Sequence, residues 1–152
     1  MILLLPQYFA LANDQYASIL KEFKKYNQQF NVPTIGAAKI RPAESILVDV
    51  RSPAEQQVSM IPGAITVAEF EKNKHKYKNK IVITYCTIGY RSGRFAGQLI
   101  KENFNAFNLE GSLLGWVHTN GQLLDAKGRP TKKLHIYSKG WNYLPKGFIP
   151  VY

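Results

Sequence analysis

Cysteine is nearly absent from this chain: Cys86 stands alone among 152 residues. A single thiol excludes an internal disulfide framework and any Cys-rich zinc or iron–sulfur site. It also excludes a resolving cysteine within these residues, so whatever Cys86 acquires by oxidation or sulfur loading has to be discharged by another molecule. Acidic residues are scarce as well, 10 Asp and Glu against 20 Lys and Arg, giving a formal net charge of +10. Lysines alternate through Lys72, Lys74, Lys76, Lys78 and Lys80, and six more cations lie from Lys127 to Lys146. Such a balance attracts anions, whether nucleic acid, anionic lipid or small molecules. No aromatic-plus-basic nucleic-acid motif accompanies it, so the charge reads as a solvated basic surface and nucleic acid is not an expected partner. Long apolar runs are missing too, and nothing approaches the roughly 18 residues of a membrane span.

The most apolar stretch, residues 1–12, ends in Ala10-Leu11-Ala12, a small-x-small pattern like a signal-peptidase site. No cationic region precedes it, since the first lysine is Lys21, and Pro6-Gln7 interrupts it. The expectation is a packed N-terminal segment and a cytoplasmic protein; a signal remnant, and an exported protein, is the alternative.

The remaining apolar residues follow two periods. Tyr16, Ile19, Leu20, Phe23 and Phe30 recur at helical spacing with Lys21, Glu22, Lys24 and Lys25 outside. They predict a helix capped by Asn13 or Asp14 and running to about residue 30. Ile46-Leu47-Val48-Asp49-Val50, Ile65-Thr66-Val67, Ile81-Val82-Ile83-Thr84-Tyr85 and Ala106-Phe107-Asn108-Leu109 read as short buried strands. Ser52-Pro53-Ala54-Glu55 carries the cap, first-turn proline and third-position acid of a helix start. Further helices are expected over residues 69–77, 92–103 and 111–118, with Phe95, Leu99 and Ile100 facing inward.

Strands alternating with helices predict an α/β fold, a central, mostly parallel sheet with helices on both faces. From about residue 121, glycines and prolines break the pattern repeatedly. Leu134, Ile136, Tyr137, Trp141, Tyr143, Leu144, Phe148 and Ile149 nevertheless make this tail too apolar for a disordered linker. The expectation is one structural domain: an N-terminal segment and helix at residues 1–34, a core at 35–121, and an extended C-terminal tail at 122–152 packing over it.

Cys86 falls between the strand ending at Tyr85 and the helix read from Ser92. In parallel α/β sheets, sites form beyond the C-terminal ends of strands. Outward-pointing backbone N–H groups and the positive helix end there favour a thiolate, the nucleophilic form, and Arg91 adds a fixed positive charge. His75, His118 and His135 have neither metal-site spacing nor an evident pairing with Cys86, and no metal or cofactor is expected.

Asp49-Val50-Arg51, Glu55, Ile61-Pro62-Gly63-Ala64, Cys86-Thr87-Ile88-Gly89-Tyr90-Arg91-Ser92, Gly111 and Trp116 occur in this order over roughly residues 35–121. The combination resembles the rhodanese-like domain and implies its fold and a sulfurtransferase activity. By resemblance, Cys86 carries a persulfide, and residues 86–91 form the cradle-shaped active-site loop. Rhodanese-type loops close in six residues, whereas the related cell-cycle phosphatases use seven. Four residues separate Cys86 from Arg91 here, which suits a sulfane sulfur better than a tetrahedral phosphate.

Two departures stand out. Ser59-Met60 occupies the usual glycine-histidine position, a change expected to affect local packing, and the often basic first loop position is Thr87.

The resemblance implies a sulfane sulfur passing from thiosulfate or a persulfide through Cys86 to a thiol, cyanide or a partner protein's cysteine. Backbone N–H groups from Thr87 through Arg91 are expected to stabilise the anionic sulfur. Arg91 is expected to bind the anionic donor, with pairing to a carboxylate as the alternative. Gly89 is expected to supply a backbone geometry closed to side chains. Ser92 is read as a helix cap, or alternatively as a donor to the sulfur. Thr87, Ile88 and Tyr90 are expected to line the pocket, and Asp49 and Arg51 to form an ion pair shaping its wall. A non-catalytic or carrier module in a sulfur relay, and a phosphatase or arsenate reductase, are the competing readings.

Overall fold

The apolar runs recognised in the sequence become the centre of a five-stranded parallel sheet. The computed structural model describes residues 5–152, with side chains from residue 14 onward. The first four residues of the apolar segment therefore lie outside the described residues, as do the side-chain contacts of residues 5–13 by which that segment was expected to pack. The strands are β1 (Thr34–Ile35), β2 (Ser45–Asp49), β3 (Ile65–Thr66), β4 (Ile81–Tyr85) and β5 (Asn105–Leu109), in spatial order β1-β5-β4-β2-β3. Register places Asp49 of β2 beside Tyr85 of β4, so both strands end at the level where Cys86 begins.

Helices α1 (Leu5–Asn27), α2 (Pro53–Val58), α3 (Val67–Lys72), α4 (Tyr90–Lys101) and α5 (Ser112–His118) flank the sheet. Period-two alternation along β4 divides the core. Ile83 and Tyr85 join Ile19, Leu109, Leu113 and Leu114 on one face. Val82 joins Val48, Phe70, Ala96, Leu99 and Phe104 on the other.

Several boundaries differ from expectation. Among the described residues, helix α1 already includes Leu5 and continues through Asn13 and Asp14, neither of which caps it, and it ends at Asn27 rather than near Phe30. There the Asn27 side chain donates to the Val32 carbonyl at 2.9 Å, while Asn31 turns to φ 50° and redirects the chain. Helix α2 forms as read, with Ser52 and Glu55 closing a full capping box.

A second capping box, Thr66 with Glu69, moves the start of α3 forward to Val67, and α3 stops at Asn73 before a separate 3₁₀ turn, Lys74–Tyr77. Helix α4 starts at Tyr90, two residues before Ser92, because Gly89 takes the N-cap position with φ 110°. Its inward face holds Leu99, but Ile100 is 39% exposed, against expectation.

The C-terminal tail carries β6 (Leu123–Leu124), β7 (Pro130–Thr131), β8 (Lys133–His135) and β9 (Ile149–Val151). Leu123, Leu134, Ile136 and Leu144 bury themselves in the same core cluster as Ile83 and Tyr85. Met60 and Leu124 exchange two backbone bonds of 2.9 Å, so the Ser59-Met60 departure meets the tail. Among the described residues, no helix is long and apolar enough to cross a membrane.

Candidate active site

Cys86 is the first residue after β4 and is 1% exposed. The loop is shaped from outside by α5, whose first backbone N–H groups lack partners within their own helix. Leu113 N–H donates to the Cys86 carbonyl at 3.1 Å and Leu114 N–H to the Thr87 carbonyl at 3.2 Å. With those carbonyls drawn toward α5, the Gly89 N–H turns inward and donates to Cys86 Sγ at 3.1 Å. Of the loop N–H groups expected to face the sulfur, Gly89's is the one placed on it.

Gly89 is required twice over. Its φ of 110° is one that side chains rarely adopt, and a Cβ there would lie 2.3 Å from the Phe23 ring.

Ser92 is not a cap. Its hydroxyl lies beneath the sulfur, 3.4 Å from Cys86 Sγ, 2.7 Å from Asn108 Oδ1 and 3.4 Å from Ser112 Oγ. Helix α4 starting early turns Ser92 into the interior instead of leaving it at the helix end. The Asn108 amide donates to the Gly89 carbonyl and to Asn27 Oδ1, both at 2.9 Å, which fixes its oxygen toward Ser92. A buried polar chain therefore joins α1, β5 and the loop under the thiol.

Arg91 pairs with a carboxylate, the alternative to donor binding given for it above. Its two terminal nitrogens donate to Glu55 at 2.8 and 2.9 Å, and one also reaches Thr87 Oγ1 at 3.3 Å. Glu55 is buried, and the pair ties α2 to the loop. Burial pushes the Glu55 carboxyl up, but donation from Arg91 and from Ser52 outweighs it and holds the group at about 2. The same bond from Glu55 raises Arg91.

A depressed carboxyl contributes stability that is complete above its ordinary value of 4.5 and is lost as pH falls through about 2. Glu55→Gln is therefore expected to cost about 1–3 kcal/mol at neutral pH, the lower figure allowing for the partly exposed Arg91. Urea denaturation at pH 7 and pH 3 checks this: the wild type loses stability on acidification, and the variant loses less. Equal acid dependence would remove Glu55 from the account.

Asp49 and Arg51 form the anticipated ion pair, both side chains fully buried. Arg51 Nε and Nη2 donate to the carboxylate at 3.0 and 2.7 Å, and Nη2 also donates to the Ser59 carbonyl at 2.7 Å. Breaking such a pair costs about 3–5 kcal/mol. The pair braces the end of β2, and neither residue lines the cavity over Cys86.

That cavity measures about 310 Å³ and is walled by Thr87, Ile88, Tyr90 and Arg91 around Cys86, as expected, and by three aromatics that the sequence did not place there. Tyr26 comes from α1, and Tyr137 and Trp141 come from the tail. Tyr26 meets Tyr90 edge-on at 5.7 Å and Trp141 at 6.0 Å.

The histidines stand apart from the thiol. His118 contacts the Tyr143 carbonyl at 2.6 Å and stacks on Tyr16, and His135 Nδ1 accepts from Tyr137 N–H. Among the described residues, no cluster of three or more His, Cys, Asp or Glu side chains is arranged to hold a metal.

Sequence reasoning missed Asn108, although a polar residue inside an apolar strand was a usable signal. It read Glu55 as a helix-start acid, and nothing local pointed to a partner 36 residues away.

Comparisons with known proteins bear on the same region. The model of the rhodanese-like domain matches residues 34–119. A tRNA uridine(34) hydroxylase of Acholeplasma laidlawii is 33% identical over 100 residues, 60% of this chain and 30% of its own length. A tRNA sulfurtransferase of Desulfurococcus amylolyticus is 38% identical over 72 residues, 47% of this chain and 15% of its own. The chain thus spans less than a third of either curated relative.

Among solved structures, a thiosulfate sulfurtransferase of Pseudomonas aeruginosa has a TM-score of 0.55 at 21% identity, over 73% of this chain and 23% of that one. A rhodanese-related protein of Thermoplasma volcanium has a TM-score of 0.53 at 23% identity, over 60% of this chain and 97% of that one. These two likenesses are of fold. The family match covers more than half of the chain and includes β2, β4, the whole Cys86 loop and α5: this chain belongs to the rhodanese-like domain family.

Proposed function

We propose that this protein is a sulfurtransferase that carries a sulfane sulfur on Cys86. The observation that supports it best is the six-residue loop wrapped around one sulfur atom, with the Gly89 N–H donating to that atom at 3.1 Å. The Cys86 thiolate attacks the outer sulfur of a donor such as thiosulfate. The sulfur–sulfur bond of the donor breaks, its electron pair leaves on sulfite, and Cys86 retains a persulfide anion. A thiolate or cyanide then attacks the terminal sulfur, taking it as a persulfide or thiocyanate and returning the Cys86 thiolate. The Gly89 N–H stabilises negative charge at the loop centre, and the Glu55–Arg91 pair holds the loop closed.

Cys86 has no second cysteine within these residues to take the sulfur. That supports a second reading in which the domain is a carrier within a relay, using the same persulfide. The name of the Desulfurococcus relative, a tRNA sulfurtransferase, is consistent with sulfur transfer.

A single-turnover experiment tests the proposal. Without an acceptor, excess thiosulfate is expected to release one sulfite per chain and then stop, and cyanide added after removal of the unreacted donor is expected to yield matching thiocyanate. No sulfite release, from a chain that also takes no sulfur from glutathione persulfide, would overturn it. Hydrolysis of an aryl phosphate through Cys86 would favour the phosphatase reading instead.

A further inference from the structure

The cavity over Cys86 has an unusual balance for a site that takes an anion. Arg91 is the charged side chain in its wall, and both its terminal nitrogens are engaged by Glu55 at 2.8 and 2.9 Å. The pair is neutral as a unit, and position 87 supplies a threonine hydroxyl rather than a cation. A dianion entering here sheds water and meets a guanidinium already shared between Glu55 and the Cys86 sulfur rather than a free counter-charge, a costly exchange.

The rest of the wall is aromatic. Tyr26 meets both Tyr90 and Trp141 edge-on. Tyr137 stands apart: it is 64% exposed and its backbone is held at φ 68°, a strained conformation for a bulky residue. Its ring lies over the Arg91 guanidinium at 5.3 Å, and its N–H is tied to His135 Nδ1. Strain retained at a ligand-facing position fits a clamp.

We infer that the tail makes this site selective for sulfane-sulfur donors bearing an apolar or aromatic group, with Tyr137 as the specificity-determining residue. The inference rests on the proposed sulfur transfer and names its donor class. The donor's single negative charge stays on the outer sulfur near the Gly89 N–H, while its organic group enters the space between Tyr137 and the Tyr26–Tyr90–Trp141 wall. With an arenethiosulfonate, the Cys86 thiolate attacks the outer sulfur. The bond to the sulfonyl sulfur breaks, its electron pair leaves on the arenesulfinate, and Cys86 keeps the persulfide anion. Charge balances without a proton, oxidant or reductant.

The test compares kcat/KM for benzenethiosulfonate and methanethiosulfonate, which share charge and leaving-group type, with thiosulfate as the dianion. The benzene-to-methane ratio is expected to be about 10 in the wild type, from aromatic contact. It is expected to fall toward 1 in Tyr137→Ala and to persist in Tyr137→Phe. Because the readout is a ratio, a general loss of activity does not mimic it. A wild-type ratio near 1, a ratio unchanged in Tyr137→Ala, or thiosulfate as the preferred donor would overturn the inference and leave the sulfurtransferase reading standing. Failure of all three donors and of glutathione persulfide to load Cys86 would overturn both.

Discussion

Replacing Cys86 by serine is expected to lower sulfur transfer by about 10⁴-fold or more, since removing the nucleophile of a covalent catalyst can cost about 10⁶-fold. Serine is nearly the same size, and its oxygen can keep the contacts now made to sulfur, the Gly89 N–H at 3.1 Å and the Ser92 hydroxyl at 3.4 Å. The fold should therefore be retained, and the melting temperature should stay within a few degrees of the wild type, a shift of about 1 kcal/mol or less. What disappears is the chemistry: a hydroxyl at neutral pH is a poor nucleophile and forms no sulfur–sulfur bond to hold the transferred atom. Steady-state transfer to cyanide and a thermal melt on the same sample check both halves. Activity within tenfold of the wild type in a folded Cys86→Ser protein would place the chemistry elsewhere.

Gly89→Ala carries the second large effect, through geometry rather than chemistry. The added Cβ would meet Phe23 ring carbons at 2.3 and 2.6 Å, and the backbone φ of 110° is strained for any side chain. Relief of either problem moves the residue whose N–H donates to Cys86 Sγ and whose carbonyl accepts from Asn108 and from Gly93 N–H. The expected stability loss is about 2–4 kcal/mol, combining overpacking with an unfavourable φ. The expected loss in kcat/KM is on the order of 10²-fold, comparable to removing one donor from an oxyanion hole. Denaturant melts and kinetics on Gly89→Ala, alone and combined with Phe23→Leu, separate the causes. The second substitution should restore part of the stability by making room and less of the activity, because φ remains unfavourable. Wild-type kinetics in Gly89→Ala would show that the Gly89 N–H does not serve the sulfur.

The parts of the fold readable from sequence are those whose physics is local. Ile81-Val82-Ile83-Thr84-Tyr85 announced β4 through its apolar, β-branched run, and Ser52 with Glu55 announced α2 through a reciprocal cap. Elements set by tertiary contact were harder. The start of α4 at Tyr90 depends on Gly89 fitting against Phe23, a contact across more than sixty residues. The edge strand β1 is two residues long and exists by pairing with β5.

The site divides in the same way. Cys86 and its loop were legible as a strand-to-helix thiol. The Glu55–Arg91 clamp, the Asn108–Ser92 chain and the tail aromatics Tyr137 and Trp141 were not, because spacing along the chain says nothing about which distant side chains converge. The consequence is functional: the sequence leaves Arg91 open between donor binding and carboxylate pairing, and the Glu55 contact lies 36 residues away.

The most direct measurement is the intact mass of the purified protein before and after a sulfane-sulfur donor, for the wild type and Cys86→Ser. The account predicts a gain of one sulfur atom in the wild type, removed by cyanide and absent in the variant. No gain in the wild type, or an equal gain in Cys86→Ser, would contradict it.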